Sequence, residues 1–447
     1  MRQPYRVESI TLKDIGVFEH THIKFPKIKS EKEDERKAEI HIFTGPNGCG
    51  KSTLLYALSG IFRPEPGGDE LVRKRYRSKD SSVLFRFSGE EGAFGVKRHA
   101  EFQQLWGNDG FSYCIENSWE SLIGVNWFHY DNSDQLNTKQ FMFAAFAYSG
   151  SRQEKTEYTL GAIEQIQRSP FDNALSFMRT VEPSILVQWI ANNKTQYALA
   201  KEDEEFDEAK KYEKALSSIS EFIFDVCGLN LTFKLKRSPL DVVISFNEKN
   251  ISFETLPEGL KSIITWVGDL ALRLEGIPWE NEADIFAQPI LLFLDEVDIH
   301  LHPRWQRRIL PALQKLLPNA QVFVSTHSPF VVGSVEDAYV YQLPEPLHDA
   351  CRDPLTADTI TAVDSKAGKS YQYILSEIFG IDEEFDVETE AQLIQFKDLI
   401  RDHLVTKQHE KAITKLAIVL SEKGDELADI VSLELRQMQR ILGKKQG

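Results

Sequence analysis

The chain has 447 residues, 42% hydrophobic and 27% charged, an ordinary globular balance that excludes disordered and fibrous classes and leaves ample material for a large core. With 52 Lys and Arg against 68 Asp and Glu the formal charge is -16, and so self-repelling a surface argues against a protein lying wholly on nucleic acid. Cys49, Cys114, Cys227 and Cys351 share no Cys-x-x-Cys or paired His spacing, so neither a disulfide framework nor a zinc site is indicated.

The first ten residues lack the apolar core of a signal peptide and the best apolar run, Ile290–Leu294, is too short to span a bilayer. A soluble cytoplasmic protein without membrane contact is expected. Tyr5–Leu12 and Val17–Phe25 alternate as strands do, Lys27–Glu39 reads as a solvated loop, and Ile40–Thr44 is a short apolar strand. A Gly-rich turn follows, then Ser52–Phe62, whose Leu54, Leu55, Leu58 and Ile61 fall at helical spacing. Pro64, Pro66, Gly67 and Gly68 end that helix.

From Ser82 to Tyr148 strands dominate, including Val83–Phe87, Ile123–Tyr130 and Phe141–Tyr148. The period turns helical between about Thr159 and Phe224, where Phe206, Ala209, Tyr212, Leu216, Ile219 and Ile223 form an apolar stripe. That stripe fits a helix with one buried face or a partner-binding arm. Leu231–Leu235 and Val242–Phe246 suggest a hairpin, Gly259–Leu274 a helix, and Ile290–Leu294 and Val322–Thr326 buried strands. Such alternation predicts an α/β sheet. Past Pro346 the pattern is helical: Ser370–Phe379, Glu388–His403, His409–Glu422 and Glu426–Leu442.

Between the predicted strand and helix, Gly45-Pro46-Asn47-Gly48-Cys49-Gly50-Lys51-Ser52 matches G-x-x-x-x-G-K-[ST]. Its glycines let backbone N–H groups wrap phosphates at a helix N-terminus, Lys51 would reach the β/γ-phosphates, and Ser52 would offer a hydroxyl to Mg²⁺. Thr53 completes the candidate nucleotide-binding set. Ile290-Leu291-Leu292-Phe293-Leu294-Asp295-Glu296 is an apolar strand ending in two acids, placed where α/β sheets bind ligands. Asp295 is the candidate Mg²⁺ ligand and Glu296 the group that polarises water. A further strand ends in Ser325-Thr326-His327-Ser328-Pro329, and His327 is a candidate to meet the γ-phosphate and the water. His300 and His302 are assigned to structure.

Phosphate loop, Asp-Glu strand, Leu301-His302-Pro303 and the Ser-Thr-His-Ser-Pro segment, in that order, resemble ABC-type ATPases of the RecF, SMC and OLD group. The resemblance implies a P-loop ATPase head, a mixed sheet plus antiparallel strands, with a helical insertion and a C-terminal helical extension. It also implies ATP and Mg²⁺ as cofactors and two heads closing on nucleotide, with a signature loop facing the γ-phosphate from the opposite subunit. The matching stretch is Leu256-Pro257-Glu258-Gly259-Leu260-Lys261-Ser262. Gly259 is retained, but Pro257 replaces the expected serine, which removes a hydroxyl and a backbone donor and implies either slow hydrolysis or ATP acting chiefly as a ligand.

Leu256–Trp266, Ala147–Arg152 and Ser169–Phe177 look closest to the PtuA ATPases of bacterial Septu antiphage systems, a family also found beside retrons. That likeness implies an assembly of several ATPase subunits, an HNH nuclease of the PtuB kind encoded nearby, and nucleic acid met through the complex. For the family's Mg²⁺-linking glutamine Gln153 is the candidate, with Gln135 second. Phe18 is a candidate to stack on adenine or an inward strand residue. Arg73-Lys74-Arg75-Tyr76-Arg77-Ser78-Lys79 is the densest basic run and reads as a solvated face or a phosphate-backbone contact.

The expected organisation is an N-terminal head lobe over residues 1–158, an insertion and hairpin over 159–250, a C-terminal lobe over 251–345 and a partner-docking helical region over 346–447. The distance in sequence from Lys51 to Asp295 leads us to expect a projecting insertion. Other classes weighed are an OLD-type or DNA-repair nuclease, which needs an acidic metal cluster after the ATPase, and an SMC-like DNA-bridging protein, which needs long heptad arms.

Overall fold

The computed structural model describes residues 6–32, 36–60, 70–78, 81–87, 94–98, 111–115, 140–150, 160–161, 163–166, 169–177, 180–246, 249–281, 283–344 and 358–444. Expectations for Ile123–Tyr130, Gln135, Gln153 and the Pro64–Gly68 stop lie outside them. In chain order the strands are β1 (Val7–Ile15), β2 (Phe18–Lys24), β3 (Glu39–Thr44), β4 (Ser82–Phe87), β5 (Phe94–Arg98), β6 (Phe111–Ile115), β7 (Ala144–Ser149), β8 (Leu231–Arg237), β9 (Leu240–Phe246), β10 (Lys249–Ser252), β11 (Ile290–Asp295), β12 (Gln321–Ser325), β13 (Ala338–Gln342), β14 (Asp358–Ile360) and β15 (Val363–Asp364).

One six-stranded sheet runs β15-β13-β3-β12-β11-β7, parallel except at β15. Every residue of β7, β11 and β12 is buried, because helices or sheet cover both faces; this is why these strands read as apolar runs without alternation. The second sheet, β14-β2-β1-β4-β5-β6, is antiparallel except where β14 joins β2. Antiparallel β8, β9 and β10 form a third sheet, so the predicted hairpin is present.

The helices are α1 (Lys51–Gly60), α2 (Glu70–Arg73), α3 (Pro183–Glu202), α4 (Phe206–Cys227), α5 (Glu258–Glu275), α6 (Pro303–Leu316), α7 (Pro329–Val332), α8 (Tyr371–Phe379), α9 (Val387–Thr406), α10 (Glu410–Ser421) and α11 (Asp425–Lys444). The insertion does not project as expected. Leu216, Ile219 and Ile223 of α4 and Val187 and Ile190 of α3 join the same core cluster as the sheet strands, with α4 lying along α6 and α5. Burial of that stripe against neighbouring helices removes apolar area from water that a projecting arm would expose.

The chain forms two compact units that divide at Gly380 rather than near Pro346. Residues β14, β15 and α8 belong with the first unit, where Ile374 is buried and the Phe330 and Tyr371 rings meet at 4.6 Å. Gly380, at φ 65°, supplies the left-handed turn that ends α8. In the second unit Leu393, Phe396 and Ile400 of α9 pack with Ile413, Ala417 and Leu420 of α10 and Val431 of α11. Asp386 caps α9 by accepting from the Glu388 and Thr389 N–H groups at 3.1 Å each. No described helix is long and apolar enough to cross a membrane.

An irregular segment covers the outer edge of β7. Ala147 N–H donates to the Ala174 carbonyl at 2.7 Å, Thr180 Oγ1 donates to the Ala147 carbonyl at 2.6 Å, and Tyr148 bridges Phe177. Arg273 of α5, 1% exposed, pins this segment: its guanidinium donates to the Pro170 carbonyl at 2.7 Å, to the Asp172 carbonyl at 2.9 Å and to the Thr180 carbonyl. Its charge is matched by Asp269 at 2.6 Å, which also accepts from Tyr148 OH at 3.0 Å. Breaking such a buried pair typically costs about 3–5 kcal/mol.

At the start of β3, away from the Gly-rich turn, Glu39 pairs with Arg6 at 2.5 Å and meets His41 Nε2 at 2.6 Å, while His41 Nδ1 meets the Tyr341 hydroxyl at 3.0 Å. Gln321 bonds both backbone groups of Val7 at 2.9 Å, tying β12 to β1. Burial pushes His41 below its ordinary value. Burial alone raises the Glu39 carboxyl, but His41 and Arg6 outweigh it and leave it low. For both groups the unfolded chain binds protons first as pH falls, so acid removes stability, beginning near the unfolded histidine value of about 6.5. Denaturation midpoints should therefore fall from pH 7 to pH 5, with His41 contributing to the slope. His41→Gln should flatten that limb; an equally steep profile in the variant would refute the assignment.

Candidate nucleotide-binding site

Because β3, β12 and β11 are adjacent and parallel, the segments that follow them leave at one edge. This brings together the turn from Gly45 to Ser52, the Asp295-Glu296 pair and Ser325-Thr326-His327. Within the turn Pro46, Asn47 and Gly48 are exposed and Cys49 is buried. Gly45, Gly48 and Gly50 all have positive φ. At Gly50 an added Cβ would lie 2.7 Å from both Phe18 and Val17, so only glycine lets the loop rest on β2. Phe18 is 4% exposed, and its inward packing there takes the place of the stacking role.

Lys51 Nζ donates to the Gly45 and Pro46 carbonyls at 2.9 Å each, which keeps the ammonium over the loop. Ser52, on the first turn of α1, donates to Asp295 Oδ1 at 3.0 Å. A hydroxyl and one carboxylate are the hard oxygen donors that Mg²⁺ takes beside phosphates, so Ser52 and Asp295 fit the ion. Thr53, by contrast, is buried, with its Oγ1 accepting from Arg75 Nε at 3.1 Å.

Ser325 joins the two acids. Its Oγ donates to Asp295 Oδ1 at 2.6 Å and accepts the Glu296 N–H at 2.7 Å. Glu296 has φ 52°, a region disfavoured for residues other than glycine and common where a fold constrains a functional side chain. Burial and the neighbouring Asp295 and Asp298 charges push its carboxyl above the usual glutamate value, against the pull of Lys51. His327 stands at the same edge, where the protein shields part of the ring from water, and this with the Lys51 charge pushes its pKa down. A raised carboxyl and a lowered imidazole beside one lysine suit proton handling near phosphate. His302 Nδ1 accepts the Arg304 N–H at 3.2 Å and so caps α6.

Gly259 lies in the first turn of α5, with Pro257 at the cap position and no side-chain cap bond. An added Cβ at Gly259 would stand 2.4 Å from the His300 carbonyl, so this glycine also serves close packing of α5 on the loop after Glu296. Strand β7 ends at this same edge: Ser149 pairs with Asp295, and Gly150 N–H donates to the Asp295 carbonyl at 2.8 Å.

The basic run is turned partly inward. Arg75 lies 4.7 Å over the Tyr56 ring and Tyr76 is 8% exposed, while Lys74 and Arg77 are exposed, Arg77 reaching Asp14 at 3.5 Å. Sequence reasoning missed Ser325, Tyr56 and Arg273. Ser325 carried a signal, since it ends a buried strand two residues before His327; Tyr56 and Arg273 act through tertiary neighbours and carried none.

Residues 40–333 match the family model described as "AAA domain, putative AbiEii toxin, Type IV TA system". The chain is 24% identical over 465 residues to the protein named "Retron Ec83 probable ATPase" from Escherichia coli, covering 91% of this chain and 83% of that one. It is also 24% identical over 424 residues to the Septu protein PtuA of Bacillus thuringiensis, covering 90% and 93%. Among solved structures, the SMC head domain from Thermotoga maritima aligns at 14% identity with a TM-score of 0.39, covering 80% of this chain and 98% of that one. The likeness read from the motifs thus extends along most of the chain. With the family model spanning strand β3 to the end of α7, the chain belongs to this family of AAA-domain proteins.

Proposed function

We propose that the chain is the ATP-binding ATPase subunit of an antiphage defence complex, and that it controls an associated HNH nuclease through nucleotide-dependent closure of two heads. The observation that carries the reading is the convergence of Lys51, Ser52, Asp295, Glu296 and His327 on one sheet edge. Similarity to a Septu PtuA and a retron ATPase supports the defence setting.

In this reading Lys51 exchanges the Gly45 and Pro46 carbonyls for β/γ-phosphate oxygens. Mg²⁺ held by Ser52 and Asp295 would supply neutralising charge on those oxygens. Glu296 accepts hydrogen bonds from the attacking water, with His327 beside it. Gln153 remains the glutamine proposed to reach the ion. The start of α5, where Pro257 and Glu258 are exposed and Gly259 is buried behind them, faces the phosphates of an opposing copy, and head-to-head pairs build the homo-oligomer. Pro257 stands where a serine would both cap α5 and meet the γ-phosphate, which supports slow turnover and a regulatory use of binding. Nucleic acid is met through the complex, in the cytoplasm. The unit from Gly380 onward, with its own core and with Val387, Ile394, Val405 and Leu433 exposed, is the partner-docking part.

Lys51→Ala should weaken ATP binding roughly 10- to 100-fold, the worth of one or two charge-assisted hydrogen bonds. Undiminished binding would remove the phosphate-loop assignment. Glu296→Gln should keep ATP binding while lowering turnover on the order of a hundredfold or more, and turnover equal to the parent's would end the role of Glu296. DNA cleavage should require the nuclease partner; cutting by the purified chain with Mg²⁺ or Mn²⁺ would overturn the division of labour.

A further inference from the structure

We propose that Tyr56 is a positioning residue for the metal-ligating carboxylate of Asp295, an inference that rests on the Mg²⁺ reading of Ser52 and Asp295. Tyr56 follows Ser52 by one helical turn, so both project from one face of α1 toward the end of β11. Its hydroxyl donates to Asp295 Oδ2 at 3.3 Å, while Oδ1 accepts from Ser52 at 3.0 Å and Ser325 at 2.6 Å. Each carboxylate oxygen therefore has its own donor, and rotation of the carboxylate breaks bonds at both.

The ring is itself held on two sides. Arg75 lies 4.7 Å over its centroid, and Phe177 meets it edge-on at 4.7 Å. Phe177 is 1% exposed and sits in the segment that Arg273 pins. The central arginine of the basic run thus serves as a clamp on a ring, and the clamp aims a hydroxyl at the acid. Groups that orient a ligating carboxylate commonly change metal affinity about 10- to 100-fold when removed.

Tyr56→Phe separates the hydroxyl from the ring, because the aromatic packing with Arg75 and Phe177 is kept. The measurement is the Mg²⁺ concentration giving half-maximal binding of a fluorescent, non-hydrolysable ATP analogue to the full chain. We expect that concentration to rise about tenfold or more, with little change in thermal midpoint or in analogue affinity at saturating Mg²⁺. An unchanged Mg²⁺ requirement in Tyr56→Phe overturns the proposal, as does a shift seen only in Tyr56→Leu, which would mean that packing alone matters. Asp295→Asn serves as the reference: loss of the Mg²⁺ dependence supports the ligand assignment, whereas an unaltered dependence shows that the Mg²⁺ reading itself has failed.

Discussion

A single hydroxyl lies at the join of the site. Ser325 Oγ sits between Asp295 and the Glu296 N–H, 2.6 and 2.7 Å away, and it can do so only because β12 and β11 run parallel in a register that ends them together. The left-handed backbone of Glu296 follows: the chain must turn sharply to offer its N–H back to the neighbouring strand. From that turn the loop to His302 is set against α5 through the close approach at Gly259. A local bond at one strand end therefore holds one carboxylate, the backbone of the residue after it and, through the loop that follows, the seat of a helix.

The sequence disclosed what chemistry restricts to a few residue types. A phosphate-wrapping turn demands glycines, lysine and a hydroxyl in fixed order, and a buried parallel strand demands an unbroken apolar run before its terminal acids. Those features were legible and adjoin as their order suggested. Phe18 was ambiguous because an aromatic beside a phosphate loop serves equally as a ligand platform or as packing, and only the space under Gly50 decides. Arg75 read as solvated charge or a phosphate contact because composition does not reveal an aromatic face brought near by folding.

The long separation between the phosphate loop and the Asp-Glu strand suggested an arm, yet α3 and α4 lie in the common core. Helix length and charge say how much of a helix meets water, but not which neighbour its stripe will find. The boundary at Gly380 escaped for a related reason: β14, β15 and α8 are short, and short segments acquire their identity from the sheets and helices that receive them.

The segment pinned by Arg273 has a consequence for what can be added to the sheet. A sheet that ends in a bare strand offers a row of amides and carbonyls as a template for further strands. Here the row on β7 is answered by Ala174, Thr180 and Phe177, and an arginine inside the fold, rather than another strand, holds that cover in place. Growth by strand addition is closed on this side, so whatever meets this edge must do so through side chains rather than by extending the sheet.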